Sequence, residues 1–516
     1  MHAFKNKISV VFFILFFASG GGFLFAKQTS EAERTIKINS RNLTYFEVFR
    51  EISRQADYFF IYDSQLIENG KRANIQRGEH TLSGLLDELL KDTGLASQFV
   101  EKYIILYKPE VTRQTFKKDE LSPVSDYYIV SGRVIDASSR QPLPFATLVQ
   151  KGRGRGISTN LEGYFSYKVP ADYYDDTLRI SSMGYSPRNI PLQLLTGGTI
   201  DIYMEIAPVF LQEVVVTGYD PVRVLLEALR KKDFLYPDFA AMHTSFYREG
   251  VFKKDEVIRY SEAVFNIYKA AYKGSGSDQV HRLKSRNYNN VNAGDSLLLK
   301  LKAGVKGTLE LDVMKNPPYF LSPEYVPDLY FSSSGFAVHN EKLVYKISFE
   351  NAGNTADDIY QGTIYIDKES MAIVQVDFSI KDQYLRKNQN NFLVRKSSQH
   401  HTRIQSIDYS IKYDYYNGKY HIMHVRGDLS MQIREKRKLR GNNYKVIFEM
   451  ATMKIETYDV KRFRPRDRLK THSIFSDQSF SYDADFWDDL NFITPEKEIH
   501  HSLQRISARI ESIEER

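Results

Sequence analysis

The spacing of apolar residues changes twice along this chain, and no other feature constrains its fold more. Between residues 35 and 109, short alternating stretches are separated by stretches with apolar residues at helical spacing. Residues 127–206 contain short strand-like runs divided by turns, and residues 220–516 contain long alternating runs. The pattern predicts a multidomain α+β and all-β protein: a small βαβ-repeat α+β domain, a β-sandwich and a large antiparallel β-rich domain with flanking helices.

The first 26 residues have the layout of a secretory signal peptide. Two lysines precede an apolar run from Ile8 to Phe17, and Ala26 is followed by polar residues. A retained anchor helix is the alternative, which three consecutive glycines at 20–22 disfavour. We therefore expect an exported protein of the periplasm or the cell outer membrane.

The chain contains no cysteine. This excludes disulfides, cysteine-based metal sites, thiol nucleophiles and a cysteine-linked lipid anchor. The formal net charge of +7 is spread along the chain, whereas nucleic-acid binding requires a concentrated basic face. The mildly basic composition, rich in Tyr and Phe, instead suits an anionic envelope surface or a glycan.

Residues 35–109 repeat one order of elements twice, strand, helix and strand. Asn42 or Thr44 is predicted to cap the first helix and Thr81 the second. The leucine-rich run that follows Thr81, the Thr-Gly-Leu turn at Gly94 and the Tyr-Ile-Ile-Leu strand that begins at Tyr103 resemble the secretin and TonB short N-terminal domain. The resemblance implies a periplasmic domain that contacts other proteins, often an anti-sigma regulator.

A polar linker, residues 110–126, leads into the second domain, residues 127–206. Short strands at this spacing predict an all-β sandwich. The glycines of Gly152–Gly156 raise the question of phosphate binding. A phosphate-binding loop leads from a strand into a helix, whereas this one leads into another strand, so a turn is favoured.

Four segments of the second domain resemble the carboxypeptidase-regulatory-like sandwich, which is prealbumin-like. The resemblance implies a noncatalytic domain typical of Bacteroidetes envelope proteins. Phe145 stands where that family usually has a glycine, a difference that puts nothing important about the resemblance in doubt. The matching segments are Val130–Asp136, Pro142–Thr147, Gly156–Phe165 and Ser182–Tyr185.

The connecting segment, residues 207–219, resembles the stretch that precedes the plug in SusC-like TonB-dependent receptors. In those receptors the energising partner engages an extended strand. The alternative is the last edge strand of the sandwich, which is favoured because no receptor plug follows. The candidate partner-binding strand comprises Glu213, Val214, Val215, Val216, Thr217 and Gly218.

Residues 220–516 are predicted to be mainly antiparallel strands between two helices. Asp220 and Pro221 begin the first helix, and apolar residues from Ile499 to Ile513 give the last helix an apolar side. The clearest strand pair is a hairpin, residues 360–380, that resembles those of LolA-like half-barrels. One face of the sheet must be buried and the other can be wet. A small outer-membrane barrel is the alternative, which a helical chain end disfavours.

The sequence contains no recognisable catalytic, metal or phosphate-binding motif. His421 and His424 are three residues apart on a predicted strand, so their side chains diverge and ordinary surface histidines are expected. We therefore expect neither an enzyme nor a cofactor. An unrecognised acid pair in residues 220–516, acting on a glycan or a peptide, is an alternative that motifs do not test.

Together these features predict a noncatalytic cell-envelope protein that acts through protein–protein or glycan contacts and is related by its domains to TonB-dependent uptake systems. TonB or an anti-sigma regulator are the protein partners that the resemblances imply. A periplasmic carrier of lipids or other apolar ligands, with a LolA-like C-terminal domain, is the main alternative.

Overall fold

The computed structural model describes residues 34–56, 58–62, 67, 71–100, 103–107, 127–195, 199–208, 219–254, 256–274, 276–289, 304–350, 359–387, 400–436, 441–471, 487 and 490–496. The predicted signal peptide and the predicted terminal helix lie outside these ranges. The chain divides into two compact units, Met1–Phe116 and Lys117–Arg516. No helix in the described ranges combines the length and the apolarity that a membrane crossing requires.

The first unit has the predicted order of elements, and Thr44 rather than Asn42 caps its first helix. The Thr44 amide donates to Glu47 Oε2 (2.7 Å) and the Glu47 amide donates to Thr44 Oγ1 (3.3 Å). Thr81 Oγ1 accepts from the Gly84 amide, as predicted. The elements are β1 (Thr35–Ile38), α1 (Tyr45–Ala56), β2 (Phe59–Tyr62), β3 (Gly78–Thr81), α2 (Leu82–Leu90), β4 (Ala96–Val100) and β5 (Tyr103–Tyr107).

Strand pairing in this unit runs between the two halves of the repeat. The strands that precede the helices, β1 and β3, pair with each other in antiparallel fashion. The strands that follow them form a second sheet in the order β2-β5-β4. The apolar faces of α1 and α2 are buried in one core with both sheets.

The second unit begins with the sandwich. One of its sheets has the order β12-β6-β9, and the other contains β11-β10-β7-β8. Strand β7 begins only at Thr147, because Phe145 has a φ of 55° that an extended strand does not allow. The strands are β6 (Tyr127–Asp136), β7 (Thr147–Gln150), β8 (Arg155–Ser158), β9 (Tyr164–Pro170), β10 (Thr177–Ser181), β11 (Arg188–Pro191) and β12 (Thr199–Met204).

A curled half-barrel follows, with the strand order β15-β14-β13-β22-β21-β20-β19-β18-β17-β16. Its neighbouring strands are all antiparallel. The elements are α3 (Pro221–Leu235), β13 (Ala241–Lys253), β14 (Glu256–Lys269), β15 (Gln279–Asn289), α4 (Gly304–Glu310), β16 (Phe331–His339), β17 (Lys342–Glu350), β18 (Tyr360–Asp367), β19 (Ile373–Ile380), α5 (Asp382–Lys387), β20 (His400–Tyr416), β21 (Lys419–Glu435) and β22 (Asn442–Glu456).

One face of the half-barrel is apolar and forms the largest core. Asp220 caps α3 and Pro221 is its first residue, as predicted. The helix packs its buried side on this face, together with the segment 311–331. The predicted hairpin forms β18 and β19, and the apolar side chains of β19 are buried here. They lie beside those of β20 and β21, such as Ile411 and Val425.

The sandwich and the half-barrel share one continuous 14-stranded sheet. Lys454 at the end of β22 pairs with Arg155 of β8, and the Ile455 amide donates to the Gly154 carbonyl (2.9 Å). The glycine-rich loop is a turn, as predicted. Gly154 has a φ of 60°, and a Cβ there would lie 2.4 Å from the Tyr416 ring. This position therefore requires glycine both for its backbone and for the ring that packs on it.

Candidate functional site

The predicted partner-binding strand, residues 213–218, lies outside the described residues. The residues on either side of it are anchored. The Ala207 amide donates to the Gly184 carbonyl (2.9 Å), and the Tyr219 hydroxyl donates to the Lys346 carbonyl (2.6 Å). Its use as a contact for a partner remains a prediction.

The second face of the half-barrel and the segment that covers it carry a set of buried charged residues that the sequence interpretation missed. We call Arg248, Glu262, Arg286, Arg426, Glu449 and Glu496 the ionic layer. All six are less than 9% exposed. The expectation that this face can be wet is therefore wrong at β13, β14, β21 and β22, because other parts of the chain cover it.

Strand register places opposite charges of the ionic layer side by side. Arg248 of β13 is directly opposite Glu262 of β14 and Glu449 of β22. Glu262 is also opposite Arg286 of β15, and Glu449 is opposite Arg426 of β21. Side chains directly opposite in neighbouring strands share a face and interact, so charge alternates across five strands.

The distances within the ionic layer are those of ion pairs. Arg286 Nε and Nη2 lie 2.8 Å and 2.7 Å from Glu262 Oε2. Arg248 Nη1 donates to Glu496 Oε2 (3.2 Å), and Arg248 Nε lies 3.7 Å from Glu449 Oε2. Arg426 Nη1 lies 3.6 Å from the same Glu449 oxygen. Three guanidinium groups therefore face three carboxylates, and this balance reduces the cost of burying them.

Glu449 remains charged although it is fully buried. Burial alone would raise its pKa, but the hydrogen bond from His424 Nε2 (2.7 Å) and the charges of Arg426 and Arg248 lower the pKa to about 2. Burial lowers the pKa of His424 in turn, so its imidazole is neutral and donates through Nε2. Burial opposes the charge of Arg248, but Tyr260 and the three glutamates raise its pKa.

The sandwich covers one side of the ionic layer through Phe145. The centroid of the Phe145 ring lies 5.2 Å from that of the His424 ring and 4.8 Å from the Arg426 guanidinium carbon. Lys412 Nζ donates to the Phe145 carbonyl oxygen (2.9 Å). The Phe145 φ of 55° is costly for a bulky residue. Phe145 therefore forms a contact between the sandwich and the charged face.

Trp487 and the segment 490–496 cover the other side. The Arg286 guanidinium carbon lies 5.0 Å from the Trp487 ring, and Arg248 donates to the Ile493 carbonyl. Asn491 joins this segment to the sandwich, because its side chain accepts from the Lys168 amide (2.7 Å) and donates to the Lys168 carbonyl (3.1 Å). The sandwich, the half-barrel and this segment thus enclose the charges together.

A small cavity lined by both polar and apolar side chains lies between β13 and α4. Lys269 Nζ donates to Asp278 and to Asp312, each at 2.7 Å, and the hydroxyls of Tyr272 and Tyr413 also donate to Asp312. The cavity volume is about 20 Å³, which accommodates about one water molecule. It is lined by His243, Ser245, Ile267, Lys269, Thr308, Leu309, Asp312, Ile422, Met423, His424, Val425, Met450 and Thr452.

The histidine pair of β21 diverges, as predicted, but neither ring is at the surface. His421 and His424 are each 1% exposed. The His421 ring lies 5.5 Å from His243, whereas His424 contacts Phe145 and Glu449. The expectation of surface histidines is wrong because both faces of β21 are covered here. No group of three or more His, Asp or Glu suited to a metal occurs in the described ranges.

Residues 130–216 match the CarboxypepD_reg-like domain. The sandwich described above is thus this domain, in agreement with the resemblance found in the sequence. The match extends beyond β12 into the connecting segment. No curated protein matches the chain.

Three solved structures give distant similarity. A DUF1329 family protein from Desulfovibrio piger is 10% identical, covers 47% of this chain and 96% of its own, and gives a TM-score of 0.20. Lipovitellin is 7% identical over 45% of this chain and 26% of its own (TM-score 0.21). The ferripyoverdine receptor FpvA of Pseudomonas aeruginosa is 10% identical over 81% and 56% (TM-score 0.13). These scores are too low to indicate a common fold.

Proposed function

We propose that this protein is a noncatalytic binding protein of the cell envelope that acts through protein or glycan contacts. In this proposal the CarboxypepD_reg-like domain and the half-barrel work as one rigid body. The signal-peptide pattern supports export. The resemblances to the secretin and TonB short N-terminal domain and to SusC-like receptors support an envelope protein of Bacteroidetes type.

The ionic layer is the observation that carries the proposal. A catalytic carboxylate must face a space that a substrate can enter. Glu449 instead faces His424, Arg426 and Arg248, and Glu262 faces Arg286. These charges contribute to the contact between the CarboxypepD_reg-like domain and the half-barrel. The sandwich contacts them through Phe145, whose ring lies 4.8 Å from the Arg426 guanidinium carbon and whose carbonyl accepts from Lys412. Because the two domains also share one sheet, this contact favours one fixed arrangement over a hinge.

If the ligand is a protein, we propose that it is TonB or an anti-sigma regulator. This proposal rests on the resemblance of residues 35–109 and on the predicted strand at residues 213–218. Nucleic acid is not among the proposed partners, and no cofactor is invoked.

Carriage of an apolar ligand is less well supported. A carrier must leave apolar surface free for its ligand. Here α3 covers part of the apolar face of the half-barrel, and its Leu225 and Leu229 belong to the same buried core as Val376 and Ile411. A ligand at this place would have to displace the helix. We therefore favour binding at an outer surface.

A turnover and binding assay tests the proposal. The purified full chain is incubated with peptidoglycan, lipopolysaccharide, neutral polysaccharides and casein, and both co-sedimentation and release of fragments are measured. We expect retention on at least one envelope polymer without fragments. Fragment release that is lost in Glu449→Gln or His243→Ala, with the fold intact by circular dichroism, would establish an enzyme and overturn the proposal.

A further inference from the structure

One end of the half-barrel, where β20 turns into β21, exposes three aromatic side chains. Tyr458 is 95% exposed, Phe234 is 78% exposed and Tyr415 is 60% exposed. Large aromatic side chains are usually at least half-buried, so three at one end are unusual. We call Phe234, Tyr415, Asn417, Thr457 and Tyr458 the aromatic rim.

Contacts between its elements hold the aromatic rim together. Asn417 Nδ2, in the turn between β20 and β21, donates to Thr457 Oγ1 (2.9 Å), next to Tyr458. Lys419 Nζ, on the other side of the turn, donates to the Phe234 carbonyl at the end of α3 (3.0 Å). The rim therefore joins the ends of α3, β20 and β22 into one surface.

The Tyr415 ring is supported from the core side. It lies 5.3 Å from the Tyr420 ring at an angle of 64°. The Tyr420 hydroxyl lies 3.0 Å from Ser370 Oγ in the turn between β18 and β19. Tyr420 is buried, so Tyr415 stands on a fixed base while most of its own surface meets solvent. An aromatic ring held in this way binds a ligand at a small cost in conformational entropy.

Three ion pairs lie around the aromatic rim. Lys419 Nζ lies 3.0 Å from Asp238, and Lys461 Nζ lies 3.0 Å from Asp459. Lys273 Nζ lies 3.9 Å from Asp233. Binding to an anionic membrane or to nucleic acid requires an excess of cations. The paired charges instead suit an uncharged ligand.

We propose that the aromatic rim binds a neutral glycan. The flat apolar face of a sugar ring matches an exposed Tyr ring, and sugar hydroxyls match the side chains of Asn417 and Thr457, which donate and accept hydrogen bonds. This inference rests on the proposed function and narrows it to one ligand class and one surface.

Affinity electrophoresis of the full chain tests this inference. Native gels contain a neutral β-glucan, α-glucan, mannan or xylan, and retardation gives the dissociation constant. Tyr458→Ala and Tyr415→Ala are compared with the wild type. We expect retardation by at least one polysaccharide, and a loss of about tenfold or more in affinity for each variant. Tyr458 is almost fully exposed, so its removal leaves the core intact.

Tyr325→Ala is the matched control. Tyr325 is 48% exposed. It follows Tyr319, whose hydroxyl accepts from the Ile359 amide at the start of β18. Ser370 and the aromatic rim lie at the other end of that strand. We expect this variant to bind as the wild type does.

Three results would overturn the inference. Unchanged affinity in both rim variants would show that glycans bind at another surface of the protein, and the proposed function would be unaffected. Absence of retardation by all four polysaccharides would exclude neutral glycans of these classes. Binding to vesicles of phosphatidylcholine and phosphatidylglycerol that is lost in Tyr458→Ala would make the surface a membrane contact. Cleavage of a polysaccharide is a separate result, which would overturn the proposed function instead.

Discussion

Replacing Glu449 by glutamine removes one charge from the ionic layer while keeping the side-chain size. The environment that lowers the Glu449 pKa from 4.5 to about 2 stabilises the charged form by about 3 kcal/mol, at 1.36 kcal/mol for each pH unit. Loss of one partner of a buried ion pair costs about 3 to 5 kcal/mol. The pKa shift and the typical cost of a broken ion pair give similar values, so we expect Glu449→Gln to lower the free energy of unfolding by about 3 kcal/mol.

The fluorescence of Trp487 provides the signal for this measurement. Trp487 is the only tryptophan, and its ring lies 5.0 Å from the Arg286 guanidinium carbon of the ionic layer. Urea unfolding of the full chain followed by tryptophan fluorescence therefore reports on this part of the fold. We expect the transition midpoint of Glu449→Gln to fall by about 1 M.

Two further variants make the result specific. Glu456→Gln lies on the same strand, but Glu456 is exposed and, among the described residues, forms an ion pair only with Lys454, so we expect a change below about 0.5 kcal/mol. Arg248→Met combined with Glu449→Gln removes one charge of each sign, so its cost should be smaller than the sum of the single costs by about 1 kcal/mol or more. A cost below about 1 kcal/mol for Glu449→Gln, or additive costs in the double variant, would refute the role given to these charges.

Two other predictions follow from the packing. Gly154→Ala should destabilise the fold by more than Gly152→Ala, because both residues have a positive φ but only the first Cβ would collide with Tyr416; urea unfolding of the two variants measures the difference. Acidification should destabilise the fold below pH 6.5. Burial lowers the pKa of His421 from 6.5 to about 4, and burial, His421 and Lys269 lower that of His243. As the pH falls below 6.5, the unfolded state therefore binds protons before the folded state does. For His421 this lowers the free energy of unfolding by about 3 kcal/mol between pH 6.5 and about pH 4. The slope of unfolding free energy against pH should decrease in His421→Gln, and an unchanged slope would contradict this assignment.

The elements whose determinants are local were predictable from the sequence. The caps at Thr81 and Asp220 and the buried side of α3 follow from spacing and residue type within one turn or two. The hairpin of β18 and β19 was also evident, because its two strands are separated by a short turn. Strand β11 carries no such local signal, since its short sequence around Ile190 has no clear alternation.

The ionic layer was not predictable in the same way. Arg248 and Glu449 are 201 residues apart, and their pairing depends on a register that only the folded sheet defines. Charged residues that alternate with apolar ones on a strand normally indicate a wet face. Here the CarboxypepD_reg-like domain covers that face through Phe145. The one available signal was Phe145 itself, a bulky residue where the family that the sequence resembles usually has a glycine.

Hydrogen exchange of the CarboxypepD_reg-like domain tests most directly whether this domain and the half-barrel act as one body. Peptides from β9 and β10 are followed by mass spectrometry in the wild-type full chain and in Glu449→Gln, whose substitution lies on β22 of the half-barrel. We predict that protection of these peptides falls together with that of β13 and β22, by the same factor. Unchanged protection of β9 and β10 beside a loss in β13 and β22 would show two independent domains and contradict the account.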